Sequence, residues 1–383
     1  MMRSRLLARN RLLFPVALVV LGAGADAARA ARLVVPDDFP SPATALMAGA
    51  NLGVDTVLVR SGTYTDAALS DLPGGTVLAG AVLYSGVYLL AHPENATPPV
   101  IDVGPGSDRV AIATAGDTDV TVDGFILQAG PRHSIEALDS RIVVRNCTLE
   151  AGFRANDCAT IELADNRITA PAGDAIFVEN SGLVLIGNEV SGAIRDAVTW
   201  VSTAGEFYAE DNSIHDNGGF GLVVSGTGVS ADIRKNLIHD NLESGIFLTL
   251  TSSNAVVEEN TIWMNGDVGV RTTAGAAITV ARNIIGRNQI GLTCESALAL
   301  DCNDVWENTA IDYEGPCGQH PTDFALDPEF CCMDGSCFTL QADSPCAPAS
   351  SGGCGQVGAR PVGCGAAAVE AATWGQVKSL FRR

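Results

Sequence analysis

The chain has 383 residues, of which 47% are hydrophobic and 17% charged, and its formal net charge is −21. This composition excludes an intrinsically disordered chain, which carries too few apolar residues to bury a core. The 23 lysine and arginine residues stand against 44 aspartate and glutamate residues. The chain therefore lacks the basic surface on which nucleic acids and anionic membranes bind.

The first 30 residues predict a cleaved secretory signal peptide. Four arginines precede an apolar stretch, 12–21, and two A-x-A sites follow it, the second ending at Ala30. A transmembrane anchor is the alternative interpretation, but this stretch is too short to cross about 30 Å of hydrocarbon. The sequence thus predicts a secreted or cell-surface protein without a transmembrane segment.

A single pattern, N-x-[IV]-x-x-N, recurs through the middle of the chain. Its clear copies begin at Asn212, Asn236, Asn260, Asn283 and Asn303, and weaker copies begin at Asn188, Asn166, Asn146 and Asp123. Successive copies start 20 to 24 residues apart. An apolar residue follows about ten residues after each start. This second column holds Ile176, Val198, Leu222, Ile246, Val270 and Leu292.

Each period contains three short apolar runs separated by Gly, Asn, Asp and Ser, which is typical of short strands. Such a unit buries its apolar residues only when it stacks on identical neighbours about 4.8 Å away. The repeat therefore predicts an all-β solenoid, a right-handed parallel β-helix of about ten to twelve coils. Asn212, Asn236 and Asn260 should stack at one turn as an amide ladder, above a buried column of Ile214, Ile238 and Ile262.

The repeats resemble the PbH1 repeats of secreted right-handed β-helix proteins with the pectin-lyase-like fold. The stretch from Val35 to Tyr64 resembles the N-terminal start of such proteins, and Asp327–Phe330 with Phe338–Gln341 and Gln356–Ala359 resembles their C-terminal ending. The resemblance covers roughly residues 34–364. It implies the fold and leaves open several functions, since the group includes pectate lyases, polygalacturonases, alginate epimerases and lyases, and many members with no assigned role.

The expected organisation follows from these features. A signal peptide (1–30) precedes an N-terminal cap (31–55), in which residues 41–50 form a helix that begins at Ser41. The β-helix (56–315) leads into a disulfide-rich C-terminal cap (316–365), and then a linker and tail (366–383). Cysteines cluster in this cap, as is typical of exported chains. Cys346 and Cys354 enclose a short loop, and we expect them to form a disulfide.

One outward column of rings suggests carbohydrate contact. Alternation along the strands places His215, His239, Trp263 and Trp306 outside the coils, one above another. Stacked rings of this kind bind the faces of sugars, so these four residues are candidate carbohydrate-binding residues. The alternative is that His-Asp before Asn is ordinary repeat sequence.

An acidic edge offers a candidate catalytic site. Asp174 and Asp196 hold equivalent positions on neighbouring coils, and His133 holds the same position two or three coils earlier. Paired carboxylates serve glycosidases as acid and base. A calcium ion bridging Asp174 and Asp196, or a salt bridge to Arg195, is the alternative. The motifs that accompany such carboxylates in polygalacturonases, alginate epimerases and pectate lyases are missing.

Charged residues of alternating sign form two further columns: Asp211, Lys235, Glu259 and Arg282, and Glu210, Arg234 and Glu258. Opposite charges one coil apart pair across strands, which favours a structural role in fixing the register.

Three functions are consistent with the sequence. The first is a non-catalytic surface protein that binds polysaccharide or cell envelope along the side of the solenoid, without a cofactor. The second is a lyase or glycoside hydrolase of acidic polysaccharides that uses the Asp174 edge. The third is a structural stalk or adhesin. Coils of such even length leave little room for the long loops that flank an active-site groove, which favours binding or structure over catalysis.

Overall fold

The computed structural model describes residues 32–72, 75–106, 109–128, 133–332 and 337–364. The predicted signal peptide and the tail from residue 366 lie outside these residues. Within the described ranges, no helix has the length and apolar character needed to cross a membrane.

The described chain folds into one helix, α1 (Pro42–Leu52), and 33 short strands. In chain order the strands of the first half are β1 (Arg32–Val35), β2 (Thr56–Val59), β3 (Thr63–Tyr64), β4 (Ala68–Leu72), β5 (Gly75–Leu83), β6 (Tyr88–Ala91), β7 (Val100–Asp102), β8 (Arg109–Asp123), β9 (Ile126–Gln128), β10 (Ile135–Arg145), β11 (Thr148–Leu149), β12 (Phe153–Asn156), β13 (Thr160–Ala164), β14 (Arg167–Ile168), β15 (Ile176–Glu179), β16 (Gly182–Ile186) and β17 (Glu189–Ser191). Those of the second half are β18 (Val198–Ser202), β19 (Glu206–Glu210), β20 (Ser213–His215), β21 (Leu222–Thr227), β22 (Ser230–Arg234), β23 (Leu237–His239), β24 (Ile246–Thr251), β25 (Asn254–Glu258), β26 (Thr261–Trp263), β27 (Val268–Thr272), β28 (Ala277–Ala281), β29 (Ile284–Gly286), β30 (Ile290–Cys294), β31 (Ala299–Asp301), β32 (Asp304–Trp306) and β33 (Ile311–Glu314).

The strands stack as three parallel faces of a β-helix. Face 1 runs through β12, β15, β18, β21, β24, β27, β30 and β33. Face 2 runs through β13, β16, β19, β22, β25, β28 and β31. Face 3 is an 11-stranded sheet within the described residues, from β3 to β32, with about one strand for each coil. The predicted fold class and coil number are confirmed.

The predicted core columns are also confirmed. Ile214 pairs with Ile238 and Ile238 with Ile262, and all three side chains are 0% exposed. The second column, from Ile176 to Leu292, lies on face 1 and is equally buried. Each coil thus contributes apolar side chains from three directions to one continuous core.

The predicted helix at the N-terminal end is present as α1. Ser41 caps it, with its hydroxyl accepting from the amide of Thr44, and Gly53 ends it in the left-handed conformation. Ala45 and Leu46 on its inner side are buried in the core cluster. The helix therefore packs its apolar side on the first coils.

Two asparagine ladders run along the turns. Asn236 is typical: its backbone amide and its side-chain amide both donate to Oδ1 of Asn260 on the next coil, at 2.9 and 3.0 Å. Its Nδ2 also donates to the carbonyls of Ala209 and Arg234. The first ladder comprises Asn166, Asn188, Asn212, Asn236, Asn260, Asn283 and Asn303. The second comprises Asn217, Asn241, Asn265, Asn288 and Asn308.

Both ladders end on an aspartate. Asp323 Oδ1 accepts the backbone and side-chain amides of Asn303, at 2.8 and 3.1 Å. Asp312 Oδ1 accepts the side-chain amide of Asn308 at 2.8 Å. A carboxylate accepts hydrogen bonds and has no N–H that would need a further acceptor. Aspartate therefore satisfies the last rung where no asparagine follows.

The first ladder starts later than the sequence suggests. Asn166 Oδ1 accepts the backbone amide of Cys147, and the Cys147 thiol in turn accepts the amide of Phe125. The weaker copies at Asn146 and Asp123 were therefore wrong as ladder positions. Asn146 instead lies on the outside and donates to Asp123 Oδ1 at 2.8 Å.

The predicted charge columns form ion pairs between coils on and beside face 2. Arg282 contacts Glu258 at 2.6 Å and Glu259 at 3.1 Å, and Lys235 contacts Glu210 at 2.9 Å. Arg234 also pairs with Glu258. Each pair links neighbouring coils and favours one register over a slipped one.

The ladder can be tested with two isosteric substitutions. Asp323 Oδ1 faces the amide of Asn303, and Asp323 Oδ2 faces the Tyr313 hydroxyl and the His320 amide, all of which are donors. In Asp323→Asn an NH₂ group replaces one of these two oxygens and therefore faces a donor. We expect a loss of roughly 1–3 kcal/mol in the free energy of unfolding. Asn260→Asp removes a buried donor and adds a charge, and we expect a loss of roughly 3 kcal/mol or more. Denaturant titration measures both.

The matched control is Asn254→Asp, since Asn254 is exposed on β25. Equal stability of Asn260→Asp and Asn254→Asp would contradict the role assigned to the ladder.

Candidate functional site

The four predicted sugar-binding rings do form an outward column on face 3. His215 and His239 stack with ring centroids 5.0 Å apart, and Trp263 and Trp306 stack at 6.0 Å. Gly286 lies between the two indoles, and a Cβ atom there would stand 2.3 Å from the Trp263 ring. The indole of Trp263 therefore fills the place that a side chain at position 286 would take.

The C-terminal segment, described over residues 316–332 and 337–364, packs on the middle of this column. Phe338 packs on His239 with centroids 4.9 Å apart, and Phe330 meets Trp263 edge-on at 5.0 Å. Trp263 is only 3% exposed as a result. The expectation of an open row of rings for sugars is therefore wrong for Trp263. The physical reason is that Phe330 and Phe338 of the same chain pack against the rings of Trp263 and His239 and exclude solvent from Trp263.

The same contact changes the electrostatics of the histidines. His239 donates to or accepts from Asp240 at 2.7 Å, and its ring lies between those of His215 and Phe338. Burial, together with the neighbouring imidazole, lowers the pKa of His239, although Asp240 opposes this effect. A largely neutral imidazole fits a packing role.

Disulfides fasten the C-terminal segment to itself and to the coils. Cys302 bonds to Cys354, and Cys294 bonds to Cys317. Two more bonds, Cys331–Cys364 and Cys332–Cys337, lie within the segment. Four disulfides are typical of a protein exported to an oxidising compartment.

The predicted Cys346–Cys354 disulfide is wrong. Cys354 bonds instead to Cys302, whose Cα atom is 5.7 Å away across 52 residues of sequence. Cys346 is a free thiol that is 0% exposed and donates to Asp304 Oδ2 at 3.2 Å. The short loop between Cys346 and Cys354 suggested that these two cysteines pair. Cys354 instead lies next to Cys302 of a coil that is distant in the sequence, and this proximity determines the disulfide.

Asp304 is a buried carboxyl at the junction of coil and segment. It is 0% exposed and accepts the Leu326 amide at 3.0 Å as well as the Cys346 thiol. Burial raises the pKa of Asp304 to about 7, and the carboxylates of Asp327 and Asp312 add to the rise. The segment is thus held partly by a carboxyl group that is protonated below neutral pH.

Asp174 and Asp196 are neighbours on the edge that leads into face 1, as predicted. Asp174 Oδ1 accepts the Asp196 amide at 3.2 Å, and Asp196 Oδ1 accepts the Phe220 amide at 3.1 Å. Arg195 approaches Asp174 Oδ1 at 3.5 Å. Each carboxylate therefore supports the amide of the next coil, which is the same structural task that the asparagines perform at other turns.

Their electrostatics follow from this setting. Burial raises the pKa of Asp174, and repulsion from Asp196 adds to it, whereas Arg195 and the Asp196 amide oppose the rise. His133 lies in the same column but two coils away, with the coil of Ala151 between them, about 10 Å at the spacing of the sheet. The structure thus brings together the two aspartates and not His133. Among the described residues, no three His, Cys, Asp or Glu side chains form a group that could hold a metal ion.

Face 1 carries a feature that the sequence reasoning missed. Its outward positions, one per coil, are Arg154, Phe177, Thr199, Val223, Phe247 and Arg271. The guanidinium of Arg154 lies over the Phe177 ring at 5.3 Å, and that of Arg271 lies over Phe247 at 5.5 Å. The signal was present in the sequence, since each of these residues directly follows a member of the buried column.

Between the two phenylalanines the face is lower. Thr199 and Val223 carry smaller side chains than Phe177 and Phe247, so the surface forms a shallow trough with aromatic walls. The two phenylalanines lie three coils apart, or about 14 Å. Phe220 supports the second wall by stacking on Phe247 at 5.5 Å. We call this depression, with Thr199 and Val223 as its floor, the trough.

Polar groups lie at one mouth of the trough. Thr199 Oγ1 donates to Asp196 Oδ2 at 3.1 Å, which sets a carboxylate and a hydroxyl beside the floor. Aromatic walls with a few fixed polar groups are the usual composition of a site for a small or extended ligand. The trough combines these two features on face 1.

Comparison with known families identifies the fold. A sequence model described as "Right handed beta helix region" matches residues 110–231 and 175–318, more than half of the chain. No curated protein sequence matches the chain.

Two solved structures illustrate the structural likeness. Pectate lyase Pel9A is 14% identical, with a TM-score of 0.58, over 82% of this chain and 90% of its own. The A-module of the Azotobacter vinelandii mannuronan C-5 epimerase AlgE4 is 15% identical, with a TM-score of 0.43, over 75% of this chain and 95% of its own. The likeness to Pel9A supports the fold and leaves the function to be argued from the site.

The Asp304 carboxyl predicts a pH dependence. An aspartate in an unfolded chain has a pKa near 4, so the folded chain holds an extra proton between about pH 4 and pH 7. The binding of this proton adds roughly 4 kcal/mol to the free energy of unfolding. The added stability is fully present below about pH 4 and is lost as the pH rises through about 7. Asp304→Asn removes the titration and keeps an acceptor for the Leu326 amide.

We therefore expect the melting temperature of the native protein, relative to that of Asp304→Asn, to fall as the pH rises from about 4 to about 8. Scanning calorimetry measures the difference. Asp343→Asn, at an exposed position of the same segment, is the control. A difference that does not change with pH would show that the pKa of Asp304 is not raised in the folded protein.

The disulfide assignment predicts a peptide map. Under non-reducing conditions we expect a cross-linked peptide pair that contains Cys302 and Cys354. Cys346 should react with iodoacetamide only after denaturation, because its thiol is fully buried. A Cys346–Cys354 peptide would contradict the assignment, and rapid labelling of Cys346 in the native protein would contradict its burial.

Proposed function

We propose that this chain, which belongs to the right-handed β-helix family, is an exported glycan-binding protein that acts without catalysis through the trough on face 1. The observation that carries the proposal is the pair of outward phenylalanines, each backed by an arginine, that enclose a floor of small side chains. Phe177 and Phe247 are half-buried, so their rings are held in place and still reach solvent.

The polar groups at the trough support this function. Asp196 lies beside the floor and is oriented by its hydrogen bonds to the Phe220 amide and to the hydroxyl of the floor residue Thr199. Sugar hydroxyl groups donate and accept hydrogen bonds, and fixed side chains bind them at a low entropic cost. Sugar rings also present apolar C–H groups, which pack against aromatic side chains.

The use of the acidic edge in the fold favours binding over turnover. A glycosidase that uses an acid and a base keeps both carboxyl groups free to approach the bond that breaks. Asp174 and Asp196 each hold the amide of the next coil, and Arg195 approaches Asp174. Catalysis by Asp174, Asp196 and His133 stays a prediction, and the experiment below includes it.

Affinity electrophoresis in gels that contain soluble polysaccharides tests the proposal. We expect at least one polysaccharide to retard the native protein, and Phe177→Ala and Phe247→Ala each to weaken binding about tenfold, the effect of losing one well-packed aromatic contact. Tyr88→Ala is the matched control, because Tyr88 is an exposed aromatic residue on β6 and lies outside the trough. Equal losses in all three variants would argue against the trough.

The same polysaccharides should be assayed for new reducing ends and unsaturated uronates. Turnover that disappears in Asp174→Asn and Asp196→Asn, with melting temperatures unchanged, would replace the binding proposal with the enzymatic one. Retardation by none of the polymers would leave the stalk or adhesin as the function to pursue.

A further inference from the structure

The charges around the trough indicate which class of glycan it takes. The floor consists of Thr199 and Val223, with Val201 and Ser225 at the next outward positions of the same two strands. None of these four side chains carries a charge. A ligand that crosses the trough therefore meets an uncharged surface over two coils.

The cationic groups nearest the walls are already engaged. Arg271 lies 3.6 Å from Asp267 and also stacks on Phe247. Arg195, at the mouth, lies 3.5 Å from Asp174. Arg154 stacks on Phe177 and is paired across the sheet with the strand position of Glu136. A carboxylate of a ligand would have to compete with these contacts.

Five carboxylates surround the trough when the arginine partners Asp174 and Asp267 are included, against the three arginines named above. Asp196 lies at the mouth, Glu179 follows Phe177 along the first wall at the next outward position, and Glu243 lies two coils beyond Asp196 on the same edge. The chain as a whole carries a formal charge of −21. Such a surface repels a polyanion over about 8–10 Å at moderate salt concentrations.

The hydrogen-bonding groups point the same way. Ionised carboxylates only accept hydrogen bonds, and the Thr199 hydroxyl already donates its one hydrogen to Asp196, so it offers a ligand only an acceptor. The Ser225 hydroxyl can both donate and accept. A ligand that complements this set must bring donors. Sugar hydroxyl groups bring donors without charge, whereas a uronate brings additional acceptors and a negative charge.

We infer that the ligand of the trough is an uncharged glycan, and that it lies across the solenoid between the Phe177 and Phe247 walls. This inference rests on the proposed function of the same site. The inferred ligand differs in charge from the acidic polysaccharides that the second sequence-based hypothesis named as substrates. A cationic amino-sugar polymer and a polyuronate are the two other classes that the experiment distinguishes.

Isothermal titration calorimetry should compare four probes: hydroxyethyl cellulose and galactomannan as neutral polymers, polygalacturonate as a polyanion, and chitosan oligosaccharides as a cationic probe. Titrations are carried out at low and high sodium chloride, and polygalacturonate is tested both with calcium and with EDTA. We expect a neutral polymer to bind with an affinity that does not change with salt, because no ion pair forms. Polygalacturonate should not bind in either condition.

A substitution that fills the floor tests the position of the ligand. Val223→Phe adds a large side chain on the outside of β21, where it does not enter the core, and should weaken neutral-glycan binding about tenfold or more. Val256→Phe is the matched control, since Val256 is a half-buried outward residue on β25 of face 2. The control should bind as the native protein does.

The outcomes separate the two proposals. Binding of polygalacturonate that Val223→Phe abolishes would overturn the neutral class and leave the trough as a glycan site. Salt-sensitive binding of the chitosan oligosaccharides and of no other probe would overturn the inference of an uncharged ligand and indicate a cationic one. Binding that Val223→Phe and Val256→Phe affect equally would overturn the trough itself. No binding to any probe would overturn both the proposed function and this inference.

Discussion

The buried amide at each turn is the constraint on which the rest of this solenoid depends. A chain that changes direction three times per coil leaves backbone groups at its turns without a partner in the sheets, and such groups are costly when buried. Asparagine resolves this problem because one side chain both donates and accepts. Asn236, at 0% exposure, bonds to Asn260 ahead of it and to the carbonyl of Ala209 behind it. With the turns fixed in this way, every strand keeps its register and every outward position becomes predictable in space.

The outward positions are then free to differ between faces, and each face has a different use. Face 2 carries ion pairs such as Arg282–Glu258, which link coils. Face 3 carries rings on which the C-terminal segment packs, burying Trp263, with Cys302–Cys354 linking the segment to the coils. Face 1 leaves aromatic residues accessible to solvent between arginines. The same backbone therefore supplies stability on two sides and, on the third, the surface that we propose binds glycan.

The sequence revealed what repeats and missed what does not. The column of Ile214, Ile238 and Ile262 could be predicted because period and burial are local properties of a repeat. The cover over Trp263 and the bond from Cys354 to Cys302 could not, because the C-terminal segment does not repeat and its partners are distant in the sequence, as with Ala359 and Thr261, which are 98 residues apart. Cys147 occupies the ladder position next to Asn166, and its backbone amide donates to Asn166 Oδ1. Because the residue there is not asparagine, the N-x-[IV]-x-x-N pattern does not identify this position.

The polarity of the ladders has a consequence for how such a molecule can grow. In each rung the side-chain amide donates one hydrogen bond to Oδ1 of the next ladder residue toward the C-terminal end, besides those it donates to carbonyl groups, and Asp323 and Asp312 end the two ladders with side chains that have no N–H to donate. In a duplicated coil inserted between two ladder coils, the new asparagine would accept from the side-chain amide of the preceding asparagine and donate to Oδ1 of the following one. The insertion would lengthen the solenoid by about 4.8 Å. A coil added after Asp323 would begin beside a carboxylate that offers it no donor. Extension by gene duplication is therefore favoured inside the array, and the final coil acts as a fixed terminus.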